Sequence, residues 1–495
     1  MLSRTILGCA VAALLAGGAA AAPPDILVTR VKLDPALQQY VKLDAPTVVL
    51  RRVRIIDGTG APARDNQTVV ISGGKITAIG GPDVKAPQGA TVLDLSGRTV
   101  LPGLVGMHDH MFYTAAPNLD AEGHSESPRT IPIMPFTSPR MYLASGVTTM
   151  RTTGSMAGFT DLGAKRLIDT GRMIGPHMDV TAPYLDGAAT QFFQIHPLTG
   201  PDDARRMVNF WAEMGATSFK VYMNISRAEL AAVTEEAHKR GLKVTGHLCS
   251  VSYPEAVAAG IDNLEHGFTA NSQLDPDRKP DACSPGATRK TLLAMQPESP
   301  EADALIKLLV ERKVAITSTL PVSEQGVPGH APLDPRAMKT MTAEAREAYL
   351  YNRNLRNTPP GNSTGDSAKL LQTDMALQRK FVAAGGLLIA GPDPTGNGGI
   401  LPGFGDLRGV ELLVEAGFTP EEAIRIATLN GATYLGLADS IGSIAVGKNA
   451  DVVVVNGDPS KIIHDITKVE IVFKDGVGFD PERILVSVAG RYGQY

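Results

Sequence analysis

Leu101-Pro102-Gly103-Leu104-Val105-Gly106-Met107-His108-Asp109-His110 is the stretch on which the reading of this chain turns. A short apolar run, too brief for a helix, ends in two imidazoles one residue apart. In a strand, residues i and i+2 face the same side, so His108 and His110 can point together beyond its end. Alone, such a pair is more often coincidence than a site. The same pattern recurs downstream, however. Short apolar runs at 147–152, 177–183, 217–222, 243–248, 261–266, 314–319 and 387–392 are each followed by a helical pattern. With 104–109 they make eight strand–helix units, which predicts an α/β fold, a (β/α)8 TIM barrel over residues 101–436.

The helical segments carry readable punctuation. Ser226-x-x-Glu229 is a capping box opening a helix that buries Leu230, Val233 and Ala237 and stops at Gly241. Thr419-Pro420-Glu421-Glu422 is a second start, with proline at the first helical position. Residues 201–214 place Met207, Val208, Trp211 and Met214 on one expected buried face. Segments 267–300 and 321–370 are longer than connections require, the usual mark of lids or binding loops.

Outside the barrel the pattern changes. Residues 47–100 hold short β-branched runs separated by Asp57-Gly58-Thr59-Gly60, Ser72-Gly73-Gly74 and Gly80-Gly81-Pro82. They predict a small antiparallel unit. Asp451-Val452-Val453-Val454-Val455 and Val469-Glu470-Ile471-Val472-Phe473, within residues 437–495, are expected to complete it. The result is a β-sandwich assembled from both chain ends, with 23–46 as an N-terminal extension.

The chain has 495 residues, 43% hydrophobic and 20% charged, with a formal net charge of -4. That balance is of an ordinary globular protein, and it lacks the basic footprint of a nucleic-acid binder. Arg4, the apolar run Ile6 to Leu15 and Ala20-Ala21-Ala22 before Pro23 read as a signal peptide over residues 1–22, hence a secreted or periplasmic protein. A lipid on Cys9 is the alternative, although the apolar run before it is short. No stretch reads as a stable membrane span. Cys249 and Cys283 are too few for a disulfide framework. The expectation is two separate thiols, with a single bridge as the alternative.

Metal-ligand residue types recur where barrel enzymes place chemistry, at the C-terminal ends of strands. His247 closes Lys243-Val244-Thr245-Gly246-His247, His266 closes Ile261-Asp262-Asn263-Leu264-Glu265-His266, and Asp393 follows Leu387-Leu388-Ile389-Ala390-Gly391-Pro392. Each alone is as easily a packed or surface residue. Four of ten histidines at strand ends is a pattern hard to obtain by chance. Lys220 ends Thr217-Ser218-Phe219-Lys220; as an ammonium it would repel a metal, and as a carbamate it would be a bridging carboxylate. Tyr222 shares a face with Lys220 and can donate to a developing oxyanion, or simply pack. His196 and His330 are weaker pocket candidates. Arg151 is a candidate for a substrate carboxylate, with a structural salt bridge the favoured reading.

These motifs, with Phe219-Lys220-Val221-Tyr222, Gly391-Pro392-Asp393, the opening Val53-Arg54-Ile55-Ile56-Asp57-Gly58 and the ending Gly442-Ser443-Ile444-Ala445-Val446-Gly447-Lys448-Asn449-Ala450-Asp451, resemble the amidohydrolase superfamily. The likeness is to its binuclear, imidazolonepropionase- and prolidase-like branch with a carboxylated lysine. The resemblance covers roughly residues 47–475. It implies one divalent ion held by His108, His110 and Asp393, a second by His247 and His266, and Lys220 bridging. His-rich ligation suits zinc. General chemistry then makes Asp393 the proton shuttle in hydrolysis of an amide C–N bond of a small molecule, for example a dipeptide or N-acyl amino acid. A homo-oligomer is compatible with the resemblance. Two stretches depart from the family pattern: Tyr222-Met223-Asn224-Ile225-Ser226 replaces a Gly-rich turn, and Arg151-Thr152-Thr153-Gly154-Ser155 replaces an Asp-containing one. The alternatives are an esterase, lactonase or organophosphate hydrolase using the same centre, and a non-catalytic metal-binding periplasmic protein.

Overall fold

The computed structural model of the chain describes residues 25–113, 131–357, 365–395 and 400–493. The expected signal segment, with Cys9, lies outside them.

The N-terminal strands are β1 (Val41–Leu43), β2 (Thr47–Ile55), β3 (Arg64–Ser72), β4 (Lys75–Gly80), β5 (Thr91–Asp94) and β6 (Arg98–Pro102). Eight short strands follow: β7 (Leu104–Gly106), β8 (Val147–Arg151), β9 (His177–Asp179), β10 (Ser218–Val221), β11 (Lys243–Gly246), β12 (Asn263–Leu264), β13 (Ala315–Ser318) and β14 (Leu388–Ala390). The chain returns through β15 (Val452–Asn456), β16 (Val469–Lys474) and β17 (Val477–Phe479).

Both chain ends build one sheet, in the order β1-β17-β16-β15-β6-β2-β3-β4, with β5 on β2. Its valine run explains the junction with the rest of the molecule. Val452 and Val454 pack into the sheet's own core, while Val453 and Val455 join the main core. Alternation at period two thus buries both faces, and the sequence reads as continuously apolar. Three expectations are corrected here. The unit is a mixed sheet, because β2 runs parallel to both β5 and β6. Residues expected in an N-terminal extension supply β1, which pairs with β17. Val48-Val49-Leu50 and Val53-Arg54-Ile55-Ile56, which read in the sequence as two separate runs, form a single strand to Ile55, interrupted where Arg52 takes φ +58 and shifts the register.

The eight short strands start within a few residues of their expected positions and pair in parallel as β7-β8-β9 and β10-β11-β12-β13-β14. Hydrogen bonds continue across both gaps. Thr217 N–H donates to the Val180 carbonyl at 2.9 Å and Ala182 N–H to that of Ser218 at 3.0 Å. On the other side Met107 N–H reaches the Ala390 carbonyl at 2.9 Å. The arrangement is barrel-like, with helices packed outside.

The predicted capping box forms at Ser226–Glu229, and the second predicted start, at Thr419, turns out to be closed by a capping box with Glu422. Leu230, Val233 and Ala237 are buried as expected. The helix Pro201–Met214 largely keeps its expected face: Val208 is buried and Met207 and Trp211 pack partly buried against the main core, whereas Met214 is 44% exposed. Segment 321–370 is largely helical, with helices at Pro335–Thr340 and Ala343–Asn357, whereas 267–300 holds the helix Ala287–Ala294 among turns.

Cys249 and Cys283 form a disulfide rather than separate thiols. It ties the chain just past β11 to the inserted segment 267–300. Closing a loop of sequence separation 34 is worth about 4 kcal/mol in the chain-entropy model. Cys249→Ala with Cys283→Ala is therefore expected to lower the thermal midpoint, and wild type with reductant should match it. Identical melting curves with and without reductant would remove this role.

Candidate metal centre

The barrel-like strands gather His108, His110, Lys220, His247, His266 and Asp393 at their C-terminal ends. His108 and His110 follow β7 and are fully buried. The Nδ1–H of His108 donates to Glu265 Oε2 at 2.6 Å. That of His110 is shared by the carbonyl oxygens of Thr152 at 3.0 Å and Gly154 at 3.2 Å. Both rings are thereby fixed with the Nε2 lone pair facing inward, the tautomer a metal ligand needs. His110 Nε2 lies 3.2 Å from Asp393 Oδ1, and His108 Nε2 3.6 Å from the same oxygen. His266 is held through Nδ1 by the Thr319 hydroxyl at 2.9 Å, and its Nε2 is buried without a partner among the described residues. His247 is half-buried, its ring centroid 4.3 Å from that of His266. Lys220 is buried, with Nζ 3.1 Å from His108 Nε2.

The electrostatics favour ligation. Burial, then the Lys220 ammonium, pushes His108 down to about 4 and His247 to about 3. Burial lowers His110 and His266 as well. All four imidazoles are therefore neutral near pH 7, the form that binds a metal. Burial works against the Asp393 carboxylate, but the imidazoles of His108, His110 and His266 outweigh it and hold the group well below the usual range. Burial brings Lys220 down to about 8.

Two of the six residues adopt the left-handed backbone region, His266 at φ +66 and Asp393 at φ +55. Such conformations cost energy in non-glycine residues and persist where the surroundings impose them, often at functional sites. Here the Asp393 N–H is tied to the His108 carbonyl at 3.0 Å, and Gly391 approaches the His108 backbone where a Cβ would collide.

Beneath the ligands lies a buried polar layer that the sequence reading had not assembled. Asn263 and Glu265, two apart and both buried, meet Thr245, Thr317 and Arg151. Arg151 pairs with Glu265 at 2.8 Å and donates to the Met107 carbonyl. The favoured structural reading of Arg151 therefore holds, and Glu265, which grips His108 from below, is the residue the sequence reading passed over. Its two-residue spacing from Asn263, two polar groups on one side of an otherwise apolar strand, was the available signal. Glu265→Ala would strand the buried Arg151 charge; a loss of about 3–5 kcal/mol in unfolding free energy is expected. Chemical denaturation of the two proteins side by side measures it, and a change under 1 kcal/mol would mean Arg151 finds other partners.

The remaining candidates separate cleanly. Tyr222 is half-buried beside the centre, its ring 4.9 Å from that of His247. His196 bonds Asp203 at 2.7 Å at the surface, and His330 is held between Glu324 and Glu415, so neither joins the site. A cavity of about 540 Å³ lined by residues such as Pro321, Arg336, Tyr349 and Phe404 contains none of the six. The donor set, not cavity size, locates the chemistry.

Comparison with known proteins agrees with this geometry. The sequence pattern described as "Amidohydrolase family" matches residues 99–478. An imidazolonepropionase of Porphyromonas gingivalis is 25% identical over 399 residues, 78% of this chain and 82% of that protein. Among solved structures, a Xaa-Pro dipeptidase with bound methionine superposes with a TM-score of 0.64 at 20% identity, over 88% of this chain and all of that one. A bottromycin amidohydrolase does so with 0.64 at 20% identity, over 92% and 94%. These two share the fold, an α/β TIM-barrel-like architecture with a separate sheet domain. The family match spans most of the chain, and with it the buried His and Asp donors: the chain belongs to the amidohydrolase family and is a metal-dependent hydrolase of carbon–nitrogen bonds.

Proposed function

We propose that the chain hydrolyses an amide bond in a peptide-like or N-acyl amino acid substrate, using two divalent ions, most simply zinc. The observation that carries this is the inward convergence of tautomer-fixed imidazoles on Asp393, with a buried His266 Nε2 beside them that has no partner among the described residues. His108, His110 and Asp393 would hold one ion, His247 and His266 the second. Lys220 would help hold both as a carbamate: the ammonium gives up one proton, its amine nitrogen bonds the carbon of carbon dioxide and gives up a second, and a buried cation becomes an anion. The ions, when bound, supply a water of lowered pKa and polarise the scissile carbonyl.

The chain's own groups do the rest. Asp393 takes the proton of the attacking water as the C–O bond forms and delivers it to the nitrogen as the C–N bond breaks. The products are a carboxylate and an amine. Tyr222, whose hydroxyl makes no hydrogen bond among the described residues, donates to the carbonyl oxygen as charge develops there. The layout expected from sequence completes the reading: a closed eight-stranded barrel over 101–436, with 47–100 and 437–495, joined by β1, in the sheet domain. Residues 1–22 serve as an export signal, in keeping with a disulfide at Cys249–Cys283.

Element analysis of gently purified protein is expected to find about two divalent ions per chain. A panel of dipeptides and N-acyl amino acids, with matched esters, should show metal-dependent amide cleavage. Metal bound at full occupancy with ester cleavage alone would move the assignment to an esterase, and bound metal with no turnover at all would favour a binding protein.

A further inference from the structure

We infer that four aromatic rings beside the metal centre, those of Phe112, Tyr184, Phe192 and Tyr222, form a recognition wall that selects a substrate with an aromatic group next to the scissile amide. The inference rests on the amide-hydrolase reading of the centre and names the substrate class it would take.

The wall touches the centre directly. Phe112 stacks on the ring of His110 with centroids 4.2 Å apart. Tyr184 meets the same imidazole edge-on at 6.4 Å and lies 5.1 Å from Lys220 Nζ. Tyr222 stacks on Tyr184 at 4.7 Å and leans on His247 at 4.9 Å. Phe192 closes the group, 5.9 Å from Tyr184 and 5.4 Å from Tyr222. Phe112 and Tyr184 are buried, whereas Phe192 and Tyr222 are half-buried and leave ring surface open. A scissile carbonyl placed among the six candidate ligands therefore has one flank against these rings. A flat apolar group on that flank extends the stack, while a charged one would lose its water against it.

Both departures from the family pattern serve this wall. At Arg151-Thr152-Thr153-Gly154-Ser155, Gly154 takes φ +95, and a Cβ there would fall inside the Tyr184 ring. Only glycine lets that ring sit against the His110 support. At Tyr222-Met223-Asn224-Ile225-Ser226, Asn224 donates its N–H to Asp186 Oδ1 at 2.7 Å and its side-chain amide to Oδ2 at 3.2 Å. Asp186, two residues after Tyr184, accepts at its carbonyl from Leu198 N–H at 2.9 Å. Gln194 ties the same loop to Ile131 through both backbone groups of that residue. The loop carrying Tyr184 and Phe192 is thus fixed on both sides, and the rings are held in place before substrate arrives.

The test uses full-length, metal-loaded protein. Calorimetric titration with phenylacetate against acetate probes an acid-product flank, and with phenylalanine against glycine an amine-product flank. At least one aromatic compound is expected to bind tenfold or more tightly than its partner. Turnover of N-phenylacetylglycine against N-acetylglycine, or of N-acetylphenylalanine against N-acetylglycine, should show the same preference in kcat/KM. Tyr184→Ala should bring the binding ratio close to one, and Tyr184→Phe should keep it. If Tyr184→Ala fails to fold, Phe192→Ala, at a half-buried position, takes its place. A ratio below tenfold for both pairs, or one that survives the alanine replacement, overturns the inference. Aromatic binding that passes these tests while none of the amides is cleaved supports the wall and defeats the amide-hydrolase reading instead.

Discussion

Lys220→Ala is expected to lose metal and turnover together. The side chain is buried, and its Nζ sits 3.1 Å from the Nε2 of His108. Left as an ammonium, it would repel the ions that the surrounding imidazoles attract. As a carbamate it would supply anionic oxygens to help hold the two proposed ions. Truncation removes those oxygens and leaves a void between His108 and Tyr184. Loss of about 4 kcal/mol of transition-state stabilisation corresponds to roughly a thousandfold in rate. The fold should persist, because the change takes a costly buried cation out of the interior. A small carboxylate such as formate or propionate should enter the void and restore part of both metal and rate. Element analysis and kcat, measured with and without that carboxylate, decide the point. Full metal content with near-normal rate would return Lys220 to the role of a buried lysine packed on an aromatic ring.

Asp393→Asn is expected to separate what Lys220→Ala joins. The amide oxygen still reaches the His110 side of the centre, where Asp393 Oδ1 lies 3.2 Å from Nε2. Metal should therefore largely remain. The proton acceptor is gone, and a positioned general base contributes roughly 10²–10⁴-fold. A fall of that size in kcat with metal retained is the expected signature. An unchanged kcat would move the proton shuttle to another group in the pocket.

Much of this was legible because the strands that carry the site are buried on both faces. Leu104–Gly106 and Leu388–Ala390 are buried throughout, so their sequence is a short apolar run that stops just before a polar group. The ligands stand at those stops, and His108, His247, His266 and Asp393 could be named from their positions alone. What escaped has no local signature. The parallel pairing of β2 with β5 and β6 joins segments by long-range contact. The Cys249–Cys283 bond depends on where segment 267–300 folds back. His196 and His330 look like pocket residues until the acids beside them are placed. Phe112, Tyr184, Phe192 and Tyr222 come from three separate connections, and only the fold brings them to one wall.

The sheet shared by the two chain ends has a consequence for how the molecule is made. Strand β6 waits for β15, and β1 for β17. At about 5–20 residues per second, the ribosome takes tens of seconds to supply those partners. Through that interval the nascent chain carries open strand edges of the kind that pair with the wrong neighbour. Production of this protein should therefore depend on chaperone capacity more than its finished stability suggests. A stop codon placed before residue 452 should yield aggregate rather than a free-standing barrel.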